Sequence, residues 1–435
     1  MSLFLRDYEA SMSQFTDAPA VFHRAAAYGI FGALMTRWKY RCRLQGGSPA
    51  RWSNLWVLLV GDSGEGRKST AVRMAEDVLM SVDPDILAPH DGSPEGFLAD
   101  LVKRQQRCSG NAANFIIQPE FTTLLASFKK SYALSLKPLL MDFYDVPNVF
   151  KKALAKSNFT IPTPRVSMLG AIATELLPIY AEQEDWLGGF FSRTLLIKGE
   201  RTRTLARVRT PPDDVIAKHA GALRSVMRRW RNSQFAIKRP LLDYDDAGVK
   251  AAAQLPPMPE EENLRGSLTR GGVHLMKCAA IEQIDADPES RAIGKAAVER
   301  AMELILHWWN TVPDVIDQCY ARGRGEFEGD RLAKRIYRYI LKQQERTNND
   351  VSWVEVMRAC ALHGDHMQKA VASLQQAGML EQQRTDGESQ EVFLRAVRLR
   401  PQYDLKTRLG EAGTVKHVPG AKHVIKPATK KKRGK

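Results

Sequence analysis

Long hydrophobic runs are missing from this sequence. The longest, Ala25 to Met35, falls well short of the ~20 residues that a helix needs to cross a bilayer, so no membrane span is expected. Cysteine is sparse: Cys42, Cys108, Cys278, Cys319 and Cys360 lie far apart, with no CxxC pair. That spacing argues against a disulfide framework or a zinc site and fits the reduced, buried thiols of a cytosolic protein. The opening MSLFLRDYEASMSQ places Arg6, Asp7 and Glu9 where a signal peptide needs an unbroken apolar stretch. Acidic residues are absent from Lys416–Lys435, which holds eight Lys or Arg of a chain whose net charge is +15. Such a tail, 399–435, is expected to be disordered and to attract phosphates without regard to base sequence through Lys430, Lys431, Lys432 and Arg433, or simply to solubilise the terminus.

With 44 % apolar residues in 435, disorder is excluded for most of the chain, and the length suggests about three domains. Ala20 to Trp38, rich in Ala, Leu and aromatics, predicts a helix in an N-terminal helical region, 1–48. Leu55–Val60 is apolar without alternation, as in a strand buried on both faces of a parallel sheet. Phe115–Ile117, Val166–Ala173 and Thr194–Ile197 read the same way. With helical patterns between them they predict a doubly wound α/β core over 49–205. A mostly helical region, 206–325, follows the basic linker ERTRTLARVRTPPDD, with helices expected over Asp214–Arg231, Leu264–Ile284 and Ile293–Ile316. RGRGEFEGD, with three glycines, looks like a boundary. Over 330–398 three helices (Leu332–Gln343, one capped by Ser352 and Glu355, and His366–Ala377) precede two strands around Thr385–Glu388. That order is the winged-helix pattern, whose third helix commonly enters the DNA major groove.

The sharpest chemical signal is GDSGEGRKST, between a buried strand and a helical stretch. A phosphate-binding loop needs glycines so that backbone N–H groups curl round the phosphate. It also needs a Lys for the β- and γ-phosphates and a Ser or Thr for Mg²⁺. Gly61, Gly64, Gly66, Arg67, Lys68, Ser69 and Thr70 supply these parts, with one residue more between Gly61 and Lys68 than GxxxxGK[ST] allows, so that the loop is either one residue longer or uses Gly64 and Gly66 in a shifted register; the alternative is a glycine-rich turn that binds no nucleotide. Hydrolysis further needs an acid at a strand end: Glu120 follows Phe115–Ile117, and Asp142 or Asp145 are alternatives. Thr174, ending the next strand beside Glu175, is a candidate γ-phosphate sensor or a helix cap. Arg193, just before the fourth strand, is a candidate arginine finger for a neighbour's nucleotide or a salt-bridge partner. Glu95, in SPEG, is a weaker candidate for contact near the nucleotide. For DNA, Arg224, Arg228, Arg229 and Arg231 surround Trp230, a combination that can hold phosphates and stack a base, or form a solvated face over a buried indole. Lys369 and Gln375 are sparse reading groups on the third helix of the C-terminal module. Cys360, His363 and His366 lack a fourth ligand for zinc.

The order LLVGDSGEGRKST, DGSPEGFLADL, IIQPEFTTLL, LLMDFYDVP, LGAIATELLP, GGFFSRTLLI resembles a helicase-like P-loop NTPase family of phages, plasmids and integrated elements, often linked to primase-polymerases. The similarity covers about residues 5 to 310. It implies a RecA-like or AAA-type core in which Lys68 and Ser69 bind ATP and Mg²⁺, Glu120 takes the Walker B position and Arg193 the finger position. The expectation is an ATP-dependent, DNA-acting motor, a replicative helicase or helicase loader working as a hexameric ring with a primase-polymerase partner. The rival is a nucleotide-gated DNA-binding initiator or regulator that unwinds nothing; a defence NTPase is a third reading.

Overall fold

The unalternating apolar runs pair with one another. Trp56–Gly61, Ala113–Gln118, Arg165–Ala173 and Thr194–Lys198 form one parallel sheet. Its order from one edge is Ala113–Gln118, Arg165–Ala173, Trp56–Gly61, Thr194–Lys198. Every residue of these strands is buried, the state of a sheet covered on both faces. The protein is thus of mixed α/β class. The computed structural model describes residues 3–396 apart from 44–48, 65, 90–92, 108–111, 154–157, 203, 206–207, 233–240, 324–326, 348, 361–363, 377–379 and 385–391. These fall into two compact units, one running to Tyr320 and one beginning at Ala321. Among the described residues no helix is long and apolar enough to cross a membrane.

The helix Ala20–Arg37 is buried on nearly all sides, which explains why its sequence shows no polar stripe. It lies against the central strands: at Gly29 an added Cβ would touch Leu169 and Val57 at 3.8 Å. The preceding helix, Phe4–Met12, is tied to Gly271–Ala286 through Asp285, which accepts the backbone N–H groups of Phe4 and Leu5 at 2.9 and 3.0 Å. The N-terminal region is therefore packed into the first unit's core.

Three expected boundaries move. Leu264–Ile284 is two helices, Glu262–Leu268 and Gly271–Ala286; the Trp309 ring packs on Gly271 at the start of the second, where a Cβ would stand 2.5 Å from it. Ile293 ends a short strand, Ala292–Ile293, and the helix starts at Lys295 and runs to Gly323. Since the next helix begins at Phe327, most of RGRGEFEGD is helical. A second sheet of the first unit, Ala292–Ile293, Leu241–Tyr244, Arg41–Arg43, Arg51–Trp52, and an antiparallel hairpin, Val149–Ala153 with Asn158–Pro162, were not expected.

The second unit contains the helices Phe327–Thr347, Trp353–Ala359 and Gly364–Gln376 and the antiparallel strands Leu380–Arg384 and Val392–Ala396, with Val351–Ser352 on the outer side of the latter. Its core gathers Ile336, Ile340, Val356, Met367, Val371 and Leu394. The Ser352 hydroxyl accepts the Glu355 N–H at 3.2 Å, the cap that starts its second helix.

Candidate functional site

Parallel strands carry their chemistry at the carboxyl ends, where each hands over to a loop or helix. Trp56–Gly61 ends in Asp62–Arg67, and helix Lys68–Val82 follows. Gly64 sits at φ +74°, open to glycine and strained for other residues. Arg67 also turns left-handed, at φ +47°, a conformation that costs a residue with a Cβ roughly 1–2 kcal/mol. Its guanidinium is held by Asp17 at 3.3 Å, a carboxylate 2 % exposed that also pairs with Arg201 at 3.1 Å. Arg67 is thus exposed and held by Asp17, and Lys68 directly after it opens the helix. Gly61 and Gly66 are enclosed, with Gly199 O 3.0 Å from an added Cβ at Gly61 and Asp62 O 3.3 Å from one at Gly66. Glu65 lies outside the described residues.

Lys68 is 8 % exposed, and its ammonium donates to the Asp62 carbonyl at 2.8 Å, the same oxygen that accepts the Gly66 N–H at 3.2 Å. Burial lowers its pKa, against the opposing pull of Glu175, Asp62 and Glu120. In the first turn of the helix, the Ser69 hydroxyl lies 3.2 Å from both Pro119 O and a Glu120 carboxylate oxygen; Thr70 is half-buried beside it. Glu120 is exposed and precedes the helix Phe121–Ser127. That helix lies close because Gly170 offers no Cβ: one would fall 2.4 Å from Phe121 Cδ2. Gly170 is a positioning residue that no sequence signal singled out. Thr174 donates its N–H to Gly61 O at 2.9 Å, and its hydroxyl is buried without a hydrogen-bond partner. Lys68, Ser69, Glu120 and Thr174 are therefore gathered at one end of the sheet.

Arg193 is not among them. It precedes Thr194, which pairs in register with Trp56, so it stands at the strand starts, roughly 16 Å of strand from the loop at ~3.3 Å per residue. There it donates to Asp145 at 2.6 Å and to Gly189 O at 2.8 Å, while Arg270 takes the other Asp145 oxygen at 2.8 Å. Partial burial would raise the Asp145 pKa, but the hydrogen bonds from Arg270 and Arg193 hold it below the usual carboxylate value. Asp145 thus belongs to the far end of the sheet and drops out as an alternative to Glu120. Asp142 is exposed. Glu95 is engaged by Lys152 at 3.2 Å.

The base-stacking role weighed for Trp230 is corrected. It is 8 % exposed and packs against Trp38, with ring centres 6.4 Å apart and planes 22° apart, and against Tyr40 at 5.2 Å. The indole is a core group because helix Asp213–Asn232 turns that face inward. Arg228 is exposed, Arg229 faces Asp287 and Glu289 at 3.6 and 3.7 Å, and Arg224 donates to Ser81 O. The Arg231 side chain lies outside the described residues, as do His363, the His366 side chain, and Lys430, Lys431, Lys432 and Arg433. Lys369 is exposed on Gly364–Gln376, and Gln375 reaches Gln382 at 3.4 Å. Cys360 is buried, and among the described residues no group of three or more His, Cys, Asp or Glu could hold a metal.

Comparison with protein-family models returns no match, and comparison with curated proteins returns none.

Proposed function

We propose that this chain is an ATP-dependent motor acting on DNA, a replicative helicase or helicase loader of a phage or other mobile element. The observation that carries the reading is the meeting of Ser69 and Glu120 at 3.2 Å beside a desolvated Lys68. A hydroxyl at a helix start and a carboxylate just beyond a strand end are the donor set a Mg²⁺–nucleotide needs. The residues fit that group in two further ways: Lys68 lies at the helix start, where anions are favoured, and the unpartnered Thr174 hydroxyl beside Gly61 is a ready donor. When bound, Mg²⁺ neutralises charge developing on the phosphate oxygens. Lys68 would leave Asp62 O for those oxygens, Ser69 and Glu120 would hold the metal, Glu120 would orient the attacking water, and Thr174 would donate to the γ-phosphate.

Arg193 cannot reach the nucleotide of its own copy across the length of a strand, so its finger role is assigned to a neighbouring copy in a ring, which we propose to be hexameric. The RecA-like or AAA-type description is supported by the parallel order with Arg165–Ala173 between the loop strand and the acid strand. In the second unit, three helices followed by antiparallel strands support a winged-helix module that holds DNA, with Lys369 on its third helix and the basic tail as added phosphate contacts. A cytoplasmic location and a primase-polymerase partner complete the proposal.

A nucleotide-gated initiator is the second reading, favoured by the way the Lys68 ammonium is already satisfied by its own loop. The test is ATP hydrolysis by the purified chain with and without single-stranded DNA, beside Lys68→Ala. DNA-stimulated turnover that vanishes in the variant is expected of the motor. ATP and DNA binding without turnover would replace it with the initiator.

A further inference from the structure

At the strand starts, away from Lys68, lies a cavity of about 110 Å³ lined by the cations Arg41, Arg51, Arg270 and Lys277 and by a single acid, Asp145. Asp145 is already engaged by two guanidiniums, Arg270 on one of its oxygens at 2.8 Å and Arg193 on the other at 2.6 Å. Lys277 is 2 % exposed. Its ammonium donates only to neutral groups, Asn54 O at 2.7 Å and Asn54 Oδ1 at 3.2 Å, and sits 3.8 Å from the centre of the Tyr144 ring. Burial pushes its pKa down to about 7. Two more donors in the lining, Arg41 Nε and the Tyr144 hydroxyl, are buried without a hydrogen-bond partner. Buried donors left unmade are costly, and so is a buried ammonium with no carboxylate hydrogen-bonded to it. One guest relieves both: an anion rich in acceptor oxygens.

We infer that this cavity binds a phosphate group, held by Arg41, Arg51, Arg270 and Lys277. Three arginines and Lys277 against one acid leave the lining net positive. A phosphate monoester brings close to two negative charges and three strong acceptors, and guanidinium forks match its geometry. At about 110 Å³ the cavity has room for a tetrahedral oxyanion. The site therefore takes the phosphate of a free ion or of a nucleic-acid strand. It stands independently of the nucleotide reading, since no residue of the glycine loop lines it.

The test uses the full chain in a Lys68→Ala background, so that phosphate bound by the glycine loop does not enter the signal. Inorganic phosphate is titrated calorimetrically, and a fluorescent oligothymidylate with a 5′-phosphate by anisotropy. Phosphate is expected to bind, and Arg51→Gln and Lys277→Met are each expected to weaken it roughly tenfold or more, the worth of a hydrogen bond to a charged group. Should the oligonucleotide displace phosphate and weaken in the same variants, the ligand is a strand; should it bind without displacing phosphate, the ligand is the free ion. Circular dichroism checks that each variant is folded, and if Lys277→Met is not, the half-buried Arg51 decides alone. The inference is overturned if phosphate fails to bind the Lys68→Ala protein, or if folded Arg51→Gln binds it as tightly as that parent.

Discussion

Replacing Gly170 with alanine tests how the acid is delivered to the loop. The added methyl would stand 2.4 Å from Phe121 Cδ2 and 3.2 Å from Gln118 O, whereas carbon atoms rest at about 3.5–4.0 Å. More than 1 Å must be made up by a chain that is buried on every side, because Phe121 is 1 % exposed and Gly170 lies mid-strand. Overpacking of this kind costs about 1–3 kcal/mol. The side that yields is the short helix Phe121–Ser127, and its first residue directly follows Glu120. A shift of about 1 Å would carry the Glu120 carboxylate out of hydrogen-bond reach of Ser69, now 3.2 Å away. Gly170→Ala should therefore lose stability and nucleotide turnover together. Phe121→Leu in the same chain should restore part of both by making room. The assay is a double-mutant cycle by chemical denaturation, with a coupling of about 0.5–3 kcal/mol expected for residues in contact. Additive effects within about 0.5 kcal/mol, or a Gly170→Ala protein as stable and active as its parent, would refute the reasoning.

The other predictions are as direct. Arg193→Ala should keep ATP binding and lose DNA-stimulated hydrolysis, whereas unchanged turnover would sink the role assigned to it in a neighbouring copy. Trp230→Ala should cost about 3–5 kcal/mol, the usual penalty for emptying a core aromatic site; Trp230→Phe should leave oligonucleotide affinity unchanged, and a loss measured by anisotropy would revive stacking. Burial lowers the His274 pKa to about 3 despite its hydrogen bond to Ser192 O. The native state therefore holds a neutral ring while the unfolded chain takes up a proton below about 6.5. The stability His274 contributes is complete above that pH and is lost as pH falls toward 3, by up to about 1.4 kcal/mol per unit. His274→Gln should flatten that part of the acid limb in denaturation curves taken from pH 6.5 to 4, and identical slopes would contradict the assignment.

What could be read from the sequence was what local pattern encodes. The four core strands were legible because they are apolar without alternation, and the glycine loop because its residues are contiguous. Glu120 was legible because an acid directly after a buried strand has few places to go. The short strands Arg41–Arg43 and Arg51–Trp52 were not, since so few residues carry no period. The hairpin Val149–Ala153 with Asn158–Pro162 lacks the Asn-Gly or Asp-Gly signature of a tight turn. Distance hid the rest. Arg67 depends on Asp17, and Lys277 depends on Asn54, partners separated by dozens to hundreds of residues. Arg165, 1 % exposed over the Trp52 ring at 4.2 Å, breaks the expectation that arginine stays in water, and only the fold explains how it is accommodated.

The parallel sheet also limits how copies of this chain can cooperate. All four strands point the same way, so Lys68 and Arg193 mark opposite poles of one axis. A two-fold dimer can join unlike poles only by setting the two axes antiparallel, and it then makes the arginine-to-loop contact twice and is complete at two copies. A heterologous, head-to-tail contact joins the arginine of one copy to the loop of the next along a continuing series. Such a contact uses one surface as socket and a different one as plug, and it has two ends: a rotation that closes gives a cycle, and one that does not gives a helical filament.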